Sequence, residues 1–205
     1  MDYVVERMRA APADEIRVIT RPAKADVVQN AERLGAAVIE GDPDDVARSI
    51  ALGLDELSAH DVILIGFPDS IWEPADGYAR LLTALDSGFE VALGLFSSDS
   101  PETCDVVHVD PSGRVLGVDH RPRRPTTNVI WGAAACRLGS LAGIADAGDP
   151  GVHFGRLCRT RPVGGVWLSH SYVDVGTPAT HARRRSSRSA RPTSSPSSPP
   201  DGATR

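Results

Sequence analysis

The residue in this chain best placed to do chemistry is Asp69, in the stretch D-V-I-L-I-G-F-P-D-S at 61–70. Val62, Ile63, Leu64 and Ile65 form an apolar run of strand length, rich in β-branched side chains, and Gly66 and Pro68 close it. Such a run suits a central strand covered on both faces. Asp69 then stands at the carboxyl end of that strand, the edge where open α/β sheets bind ligands. A carboxylate there can hold a divalent cation against substrate phosphates. It can equally end the strand and cap the helix after it. Position alone leaves both readings open.

The other reactive side chains narrow the choice of chemistry. Cys104, Cys136 and Cys158 are odd in number and far apart, with no C-x-x-C pair, so neither a zinc knuckle nor a disulfide framework is supported. The six histidines show no H-x-x-x-H spacing, and His153, His170 and His181 read as surface or turn residues. There is no G-x-S-x-G elbow and no G-x-G-x-x-G fingerprint, which disfavours a hydrolase or a nicotinamide enzyme. Asp174, in D-V-G-T-P at 174–178, reads first as a turn residue before Gly176.

Positioning Asp69 requires a scaffold, and the first half of the chain supplies an alternating one. Val4, Val5, Met8 and Ala11 recur at helical spacing, Glu15–Thr20 is a short strand, and Val27, Val28, Ala31 and Leu34 repeat the helical face. Ala37–Glu40 is a second strand, and Asp42-Pro43 opens a helix whose inner face is Val46, Ile50, Leu54 and Leu57. The Asp61 strand follows, and then a helix opened by Pro74 with Tyr78, Leu81, Leu82 and Leu85 on one side. This rhythm predicts an α/β fold with a mostly parallel, Rossmann-like sheet wrapped by helices.

From Phe89 the pattern changes. Val91–Phe96, Asp105–Val109, Val115–Asp119 and Asn128–Ala134 read as strands, with Pro111-Ser112-Gly113 as a hairpin turn. Leu138–Ala145 reads as a short helix, and Val163–Leu168 and Ser171–Val175 as strands. An antiparallel portion in the second half is the expectation.

The chain has 205 residues and a formal net charge of −5. Arg183, Arg184, Arg185, Arg188, Arg191 and Arg205 stand against Asp201 alone in the last stretch, so residues 1–182 are more acidic than the whole. An acidic body argues against a nucleic-acid groove. No run is long and apolar enough for a membrane span and none reads as a signal region, so a cytoplasmic protein is expected. Residues 183–205 are dominated by Ser, Pro and Arg, with no aliphatic side chain larger than alanine. They are expected to be a disordered tail on a single domain at 1–182.

Taken in order, G-F-P-D-S (66–70), L-G-L-F (93–96), D-H-R-P (119–122) and D-V-G-T-P (174–178) resemble the sugar-1-phosphate nucleotidyltransferases, in particular the glucose-1-phosphate thymidylyltransferase group. The resemblance runs from about Tyr3 to about Thr180 and includes D-S-P-E-T-C-D-V-V and D-P-S-G-R-V. It implies a reaction in which a nucleoside triphosphate and a sugar 1-phosphate give a nucleotide sugar, such as dTDP-glucose, and pyrophosphate. It also implies that Asp69 and Asp174 hold Mg²⁺ between the two sets of phosphates, as a metal would in an in-line phosphoryl-type transfer. Gly94 and Gly132 match glycines that let a sugar approach the backbone, the alternative being a strand bulge or close packing. His120-Arg121-Pro122 matches an E-K-P motif, which would put His120 on sugar hydroxyls and Arg121 on the sugar phosphate.

Two departures bear on activity. The family's G-x-G-T-R-L loop and its P-K lysine have no counterpart here, and Met1 falls near the start of the family's first long helix. The expectation is therefore a domain lacking its first strand and phosphate loop, with impaired turnover, because such loops aim backbone N–H groups at phosphates. Lys24 is the only lysine and lies between a strand and a helix, away from the P-K position. The competing expectation is a non-catalytic relic that binds a sugar phosphate or a partner. For the tail the expectation is direct: deleting 183–205 leaves the melting temperature unchanged in differential scanning fluorimetry, because no apolar anchor is lost.

Overall fold

The computed structural model describes residues 1–169 and 172–174; the expectations for the turn at 175–178 and for the tail at 183–205 lie outside them. The chain runs α1 (Asp2–Ala10), β1 (Arg17–Thr20), α2 (Ala25–Arg33), β2 (Ala37–Glu40), α3 (Val46–Leu52) and β3 (Val62–Gly66). It continues with β4 (Ser70–Trp72), α4 (Gly77–Asp86), β5 (Val91–Ser97), β6 (Asp105–Val109), β7 (Val115–His120) and β8 (Val129–Arg137). It closes with α5 (Pro150–Leu157), β9 (Val163–Ser169) and β10 (Tyr172–Asp174). Sheet and helices together make the expected α/β class, with parallel and antiparallel strands both present.

The six-stranded sheet is organised around β8. It runs antiparallel to β5 over Val129–Cys136, and its other edge is shared between β3, along Ala133–Arg137, and β6, at Ile130. Strand β9 lies parallel to β5 on the far side. Strands β6 and β7 form the hairpin expected from Pro111-Ser112-Gly113, where Gly113 takes the left-handed φ of 84° that such a turn asks of one residue. The hairpin curls over the sheet, and its tip meets β9: the Gly165 N–H donates to the Gly113 carbonyl at 2.7 Å. Strands β1 and β2 pair in parallel as a separate ribbon, and β4 pairs antiparallel with β10 as another.

The sheet divides the core in two. One face carries Ile65, Leu93, Leu95, Trp131, Ala134 and Cys136 against Ala47 of α3 and Phe154 of α5. The other carries Ala92, Phe96, Ile130, Ala133 and Ala135 against Val4 and Val5 of α1, Trp72 of β4, and Tyr78, Leu81 and Leu85 of α4. Alternate residues of β5 and β8 go to opposite clusters, as a strand sandwiched between helix layers requires.

Several local expectations change. Strand β3 was read as central; it is paired with β8 alone among the described residues, and Val62 is 39 % exposed. Its other edge meets no strand because β1–β2 is separate from the main sheet. Leu138–Ala145 is two 3₁₀ turns, Leu138–Leu141 and Ile144–Asp146, separated by Gly143 at φ 74°, a conformation that stops a helix. The helix read from Asp42-Pro43 starts later, at Val46, where the Asp45 side chain accepts from the Arg48 N–H at 2.7 Å.

Helix α1 is held against β3 with no spare volume. A Cβ on Gly66 would stand 2.2 Å from the Tyr78 hydroxyl, 2.6 Å from Val4 Cγ2 and 3.0 Å from Met8 Cε. Tyr78 itself is buried, and its hydroxyl donates to the Ile65 carbonyl at 3.1 Å. Gly66→Ala therefore has to displace either α1 or the Tyr78 hydroxyl. Urea denaturation is expected to show a loss of about 1–3 kcal/mol, the range for overpacking a filled core.

Candidate functional site

Asp69 occupies the turn between β3 and β4, half-buried, with the Ser70 N–H donating back to the Phe67 carbonyl at 3.1 Å. The next residue, Ser70, pairs with Asp174 across the β4–β10 ribbon, so the backbones of Asp69 and Asp174 are brought one register step apart. The ribbon is fixed from both ends. The Ser70 Oγ lies 2.8 Å from the Tyr172 hydroxyl. On the far side, the Trp72 carbonyl accepts from Arg7 Nε at 3.0 Å and from the Tyr3 hydroxyl at 2.9 Å. Arg7 is buried yet paired: its guanidinium lies 3.1 Å from Glu73 and stacks on the Tyr3 ring.

Gly132 and Gly94 fall beside this ribbon. Gly132 is the extra residue of a bulge, since Gly94 pairs with Ala133 while Leu95 pairs with Trp131. A Cβ there would come within 2.2 Å of the Tyr172 ring, and one on Gly94 within 2.8 Å of Leu168 Cδ1. Asp69, Asp174, Gly94 and Gly132 thus converge on one region of the fold.

A cleft of about 460 Å³ opens beside Pro68. It is lined by the end of β1 from Val18 to Thr20, by Arg21 and Lys24, and by Gly41 and Pro43–Val46. Arg21 and Lys24 are exposed cations, and Arg21 is 2.6 Å from Asp42. Lys24 had no role in the reading of the sequence; the strand-to-helix connection that carries it is one wall of the cleft. The spacing of T-R-P-A-K after a strand places both cations at a carboxyl edge, which was the available signal.

His120 and Arg121 lie on the other side of Trp131. Phe67 stacks on Trp131 at 5.5 Å, the Trp131 indole N–H donates to Asp105 at 3.2 Å, and Asp105 is 2.7 Å from His120 Nδ1. His120 Nδ1 is also 3.5 Å from Asp149, the N-cap of α5. Burial pushes the Asp105 carboxyl above the usual range; the neighbouring Asp149 charge adds to this, and the His120 hydrogen bond opposes it. Asp105 and Asp149 were absent from the expected site. Their partner His120 enters the expected site through the E-K-P match alone, and no local pattern connects residues 105, 120 and 149. A second cleft of about 430 Å³, lined by His120, Pro122, Arg156 and Arg159 among others, adjoins them.

Arg121 follows in the left-handed region at φ 41°, with its N–H donating to the Cys104 carbonyl at 3.1 Å. A non-glycine residue there carries backbone strain.

No family model and no curated protein matches the chain. Among solved structures, it is similar to a provisionally assigned glucose-1-phosphate thymidylyltransferase from Bacillus anthracis, crystallised with sucrose. The TM-score is 0.73 at 15 % identity, covering 95 % of this chain and 84 % of that one. The likeness establishes a nucleotidyltransferase-like fold. No helix among the described residues is long and apolar enough to cross a membrane.

The strained position gives a test of what Arg121 is for. Arg121→Gly is expected to hold or raise stability by about 0.5–1 kcal/mol in urea melts, since glycine relieves the left-handed backbone. A side chain kept there for packing would instead make the variant less stable.

Proposed function

We propose that the chain is a nucleotidyltransferase-type protein that binds a nucleoside triphosphate and a sugar 1-phosphate, and whose chemistry is formation of a nucleotide sugar such as dTDP-glucose with release of pyrophosphate. The observation that supports this reading most is the register of the β4–β10 ribbon. It sets Asp174 opposite Ser70, next to Asp69, in a fold of nucleotidyltransferase type. Hard carboxylate oxygens from two strand ends are the donor set that Mg²⁺ prefers, and Asp69 and Asp174 would hold it. The ion supplies charge neutralisation and orientation for anionic reactants.

The chain's own residues do the rest. Arg21 and Lys24 offer positive charge to triphosphate oxygens in the cleft beside Pro68. Arg121 takes the sugar phosphate, and its left-handed backbone is the kind of strain kept at ligand contacts. His120 has Nδ1 committed to Asp105 and offers Nε2 to a sugar hydroxyl. Gly94 and Gly132 lie under Leu168 and the Tyr172 ring, so their missing side chains serve the packing beside the carboxylates rather than a sugar contact. A phosphate oxygen of the sugar attacks the α-phosphorus in line, the bond to the β-phosphate oxygen breaks, and pyrophosphate leaves. The acidic body fits small-molecule substrates better than nucleic acid, and the site suits a cytoplasmic enzyme of nucleotide-sugar synthesis.

The cleft beside Pro68 also carries Asp44 and Asp45, whose charges oppose a triphosphate. This favours, as second reading, a module that binds sugar phosphate without turning it over. Pyrophosphate release is measured with Mg²⁺, glucose 1-phosphate and a panel of nucleoside triphosphates, alongside calorimetric titration of glucose 1-phosphate. The expected result is Mg²⁺-dependent release that Asp69→Asn lowers by a factor on the order of 10². Binding without release selects the second reading, and neither binding nor release overturns both.

A further inference from the structure

The cluster behind Trp131 has a composition and geometry beyond what orienting His120 for a sugar hydroxyl needs. Asp105 opens β6, His120 closes β7 and Asp149 caps α5, and each offers one donor atom within 4.8 Å of the others. The Asp105 side chain is only 12 % exposed, yet it faces a second carboxylate, and the imidazole stands 2.7 Å from one and 3.5 Å from the other. Two carboxylates brought together away from water are relieved by a shared proton or by a cation between them, and a divalent ion neutralises both at once.

We propose that Asp105, His120 and Asp149 form a binding site for a first-row divalent transition ion, of which zinc is the type. The inference is independent of the nucleotidyltransferase reading. An ion about 2.0–2.2 Å from each donor holds its ligands roughly 3.3–3.6 Å apart in a tetrahedron. His120 and Asp149 already have that spacing, and His120 and Asp105 have to part by less than 1 Å. One nitrogen and two carboxylate oxygens are a borderline donor set that selects zinc or manganese over calcium or magnesium.

The surroundings orient the ligands as metal sites require. The Trp131 indole donates to Asp105 Oδ2, which leaves Oδ1 directed at His120. The Gly151 N–H donates to Asp149 Oδ1 at 2.8 Å, and the close fit of Gly151 leaves no room between α5 and Asp105: a Cβ there would stand 2.1 Å from Oδ2. Donors of this kind hold a carboxylate's rotamer, and their loss typically weakens a metal 10–100-fold. The adjoining cleft of about 430 Å³ gives a water or anion access to a fourth position, with Arg156 and Arg159 on its wall. An ion here ties the β6–β7 hairpin to α5.

The test uses the full chain without a polyhistidine tag. Equilibrium dialysis against ZnCl₂ is expected to give saturable binding of one Zn²⁺ per chain. Co²⁺ in its place is expected to give the intense visible bands of a four-coordinate site. At a hundredfold excess over Kd, Zn²⁺ is expected to raise the melting temperature by about 5–10 °C. Asp149→Asn keeps the helix cap, since asparagine caps as well as aspartate, but removes the carboxylate. It is expected to fold and to bind at least about tenfold more weakly, and His120→Gln likewise. Asp69→Asn and Cys104→Ser are expected to leave Zn²⁺ binding unchanged, which separates this site from the proposed Mg²⁺ site and from the half-buried Cys104 thiol. Absence of saturable binding, or undiminished affinity in both Asp149→Asn and His120→Gln, overturns the proposal.

Discussion

The structure depends on β8 being thin. From Gly132 to Cys136 it carries only glycine, alanine and cysteine, all buried, with β5 on one edge and β3 on the other. Both faces are roofed by helices, so larger side chains would force α1 and α4 away on one side and α3 and α5 away on the other. Close packing of this kind does not relax: interiors at crystal-like density transmit a displaced methylene to their neighbours. The bulk that β8 lacks is supplied from outside by Leu93 and Leu95 on one face and Phe96 and Tyr78 on the other. Burial also pushes the Cys136 thiol well up, so it packs as a small apolar group and is no nucleophile.

Both candidate regions lie toward the start of this strand. There, Trp131 touches Phe67 on one side and Phe154 on the other while its indole N–H reaches Asp105. The same ring therefore supports the turn carrying Asp69 and the cluster around His120. Aromatic side chains suit such a junction, being rigid, large in buried area and polar at one edge. A change at Trp131 would reach both regions at once, and stability measurements alone would not apportion it.

The sequence was most informative where periodicity was long. The α1, α2 and α4 stripes and the β5–β8 run follow from spacing, because each buries one face against a layer of the same period. Short elements were less legible. Strand β4 is three residues, Ser70–Trp72, and exists only because β10 pairs with it about a hundred residues later. Helix α5 announces itself with Asp149-Pro150, the N-cap and first-turn proline pattern read at Asp42-Pro43. That helix was not among the elements expected; at Asp42-Pro43, where a helix was expected, the same pair precedes it by three residues, because Asp45 makes the cap. Of the candidate site, Asp69, Asp174, Gly94 and Gly132 were named from their motifs, and the structure adds that their backbones lie near one another. Asp105 and Asp149 were not named, since their relation to His120 is created by the hairpin and by the docking of α5.

A ribbon as short as β4–β10 cannot fix its own register, since an isolated two-stranded pair is at best marginally stable in water. What fixes it is the core beneath. The Trp72 ring lies 5.4 Å from Tyr78 and 5.7 Å from Phe96, and Phe96 lies 5.0 Å from Tyr172, so one aromatic chain grips both strands. Arg7 and Tyr3 of α1 then take the Trp72 carbonyl, which the ribbon leaves available. The relation between Asp69 and Asp174 is thus set less by the ladder joining their strands than by α1 and by four aromatic rings beneath it. Helix α1 therefore shapes the candidate site as much as the ladder between β4 and β10 does, although none of its residues carries a motif.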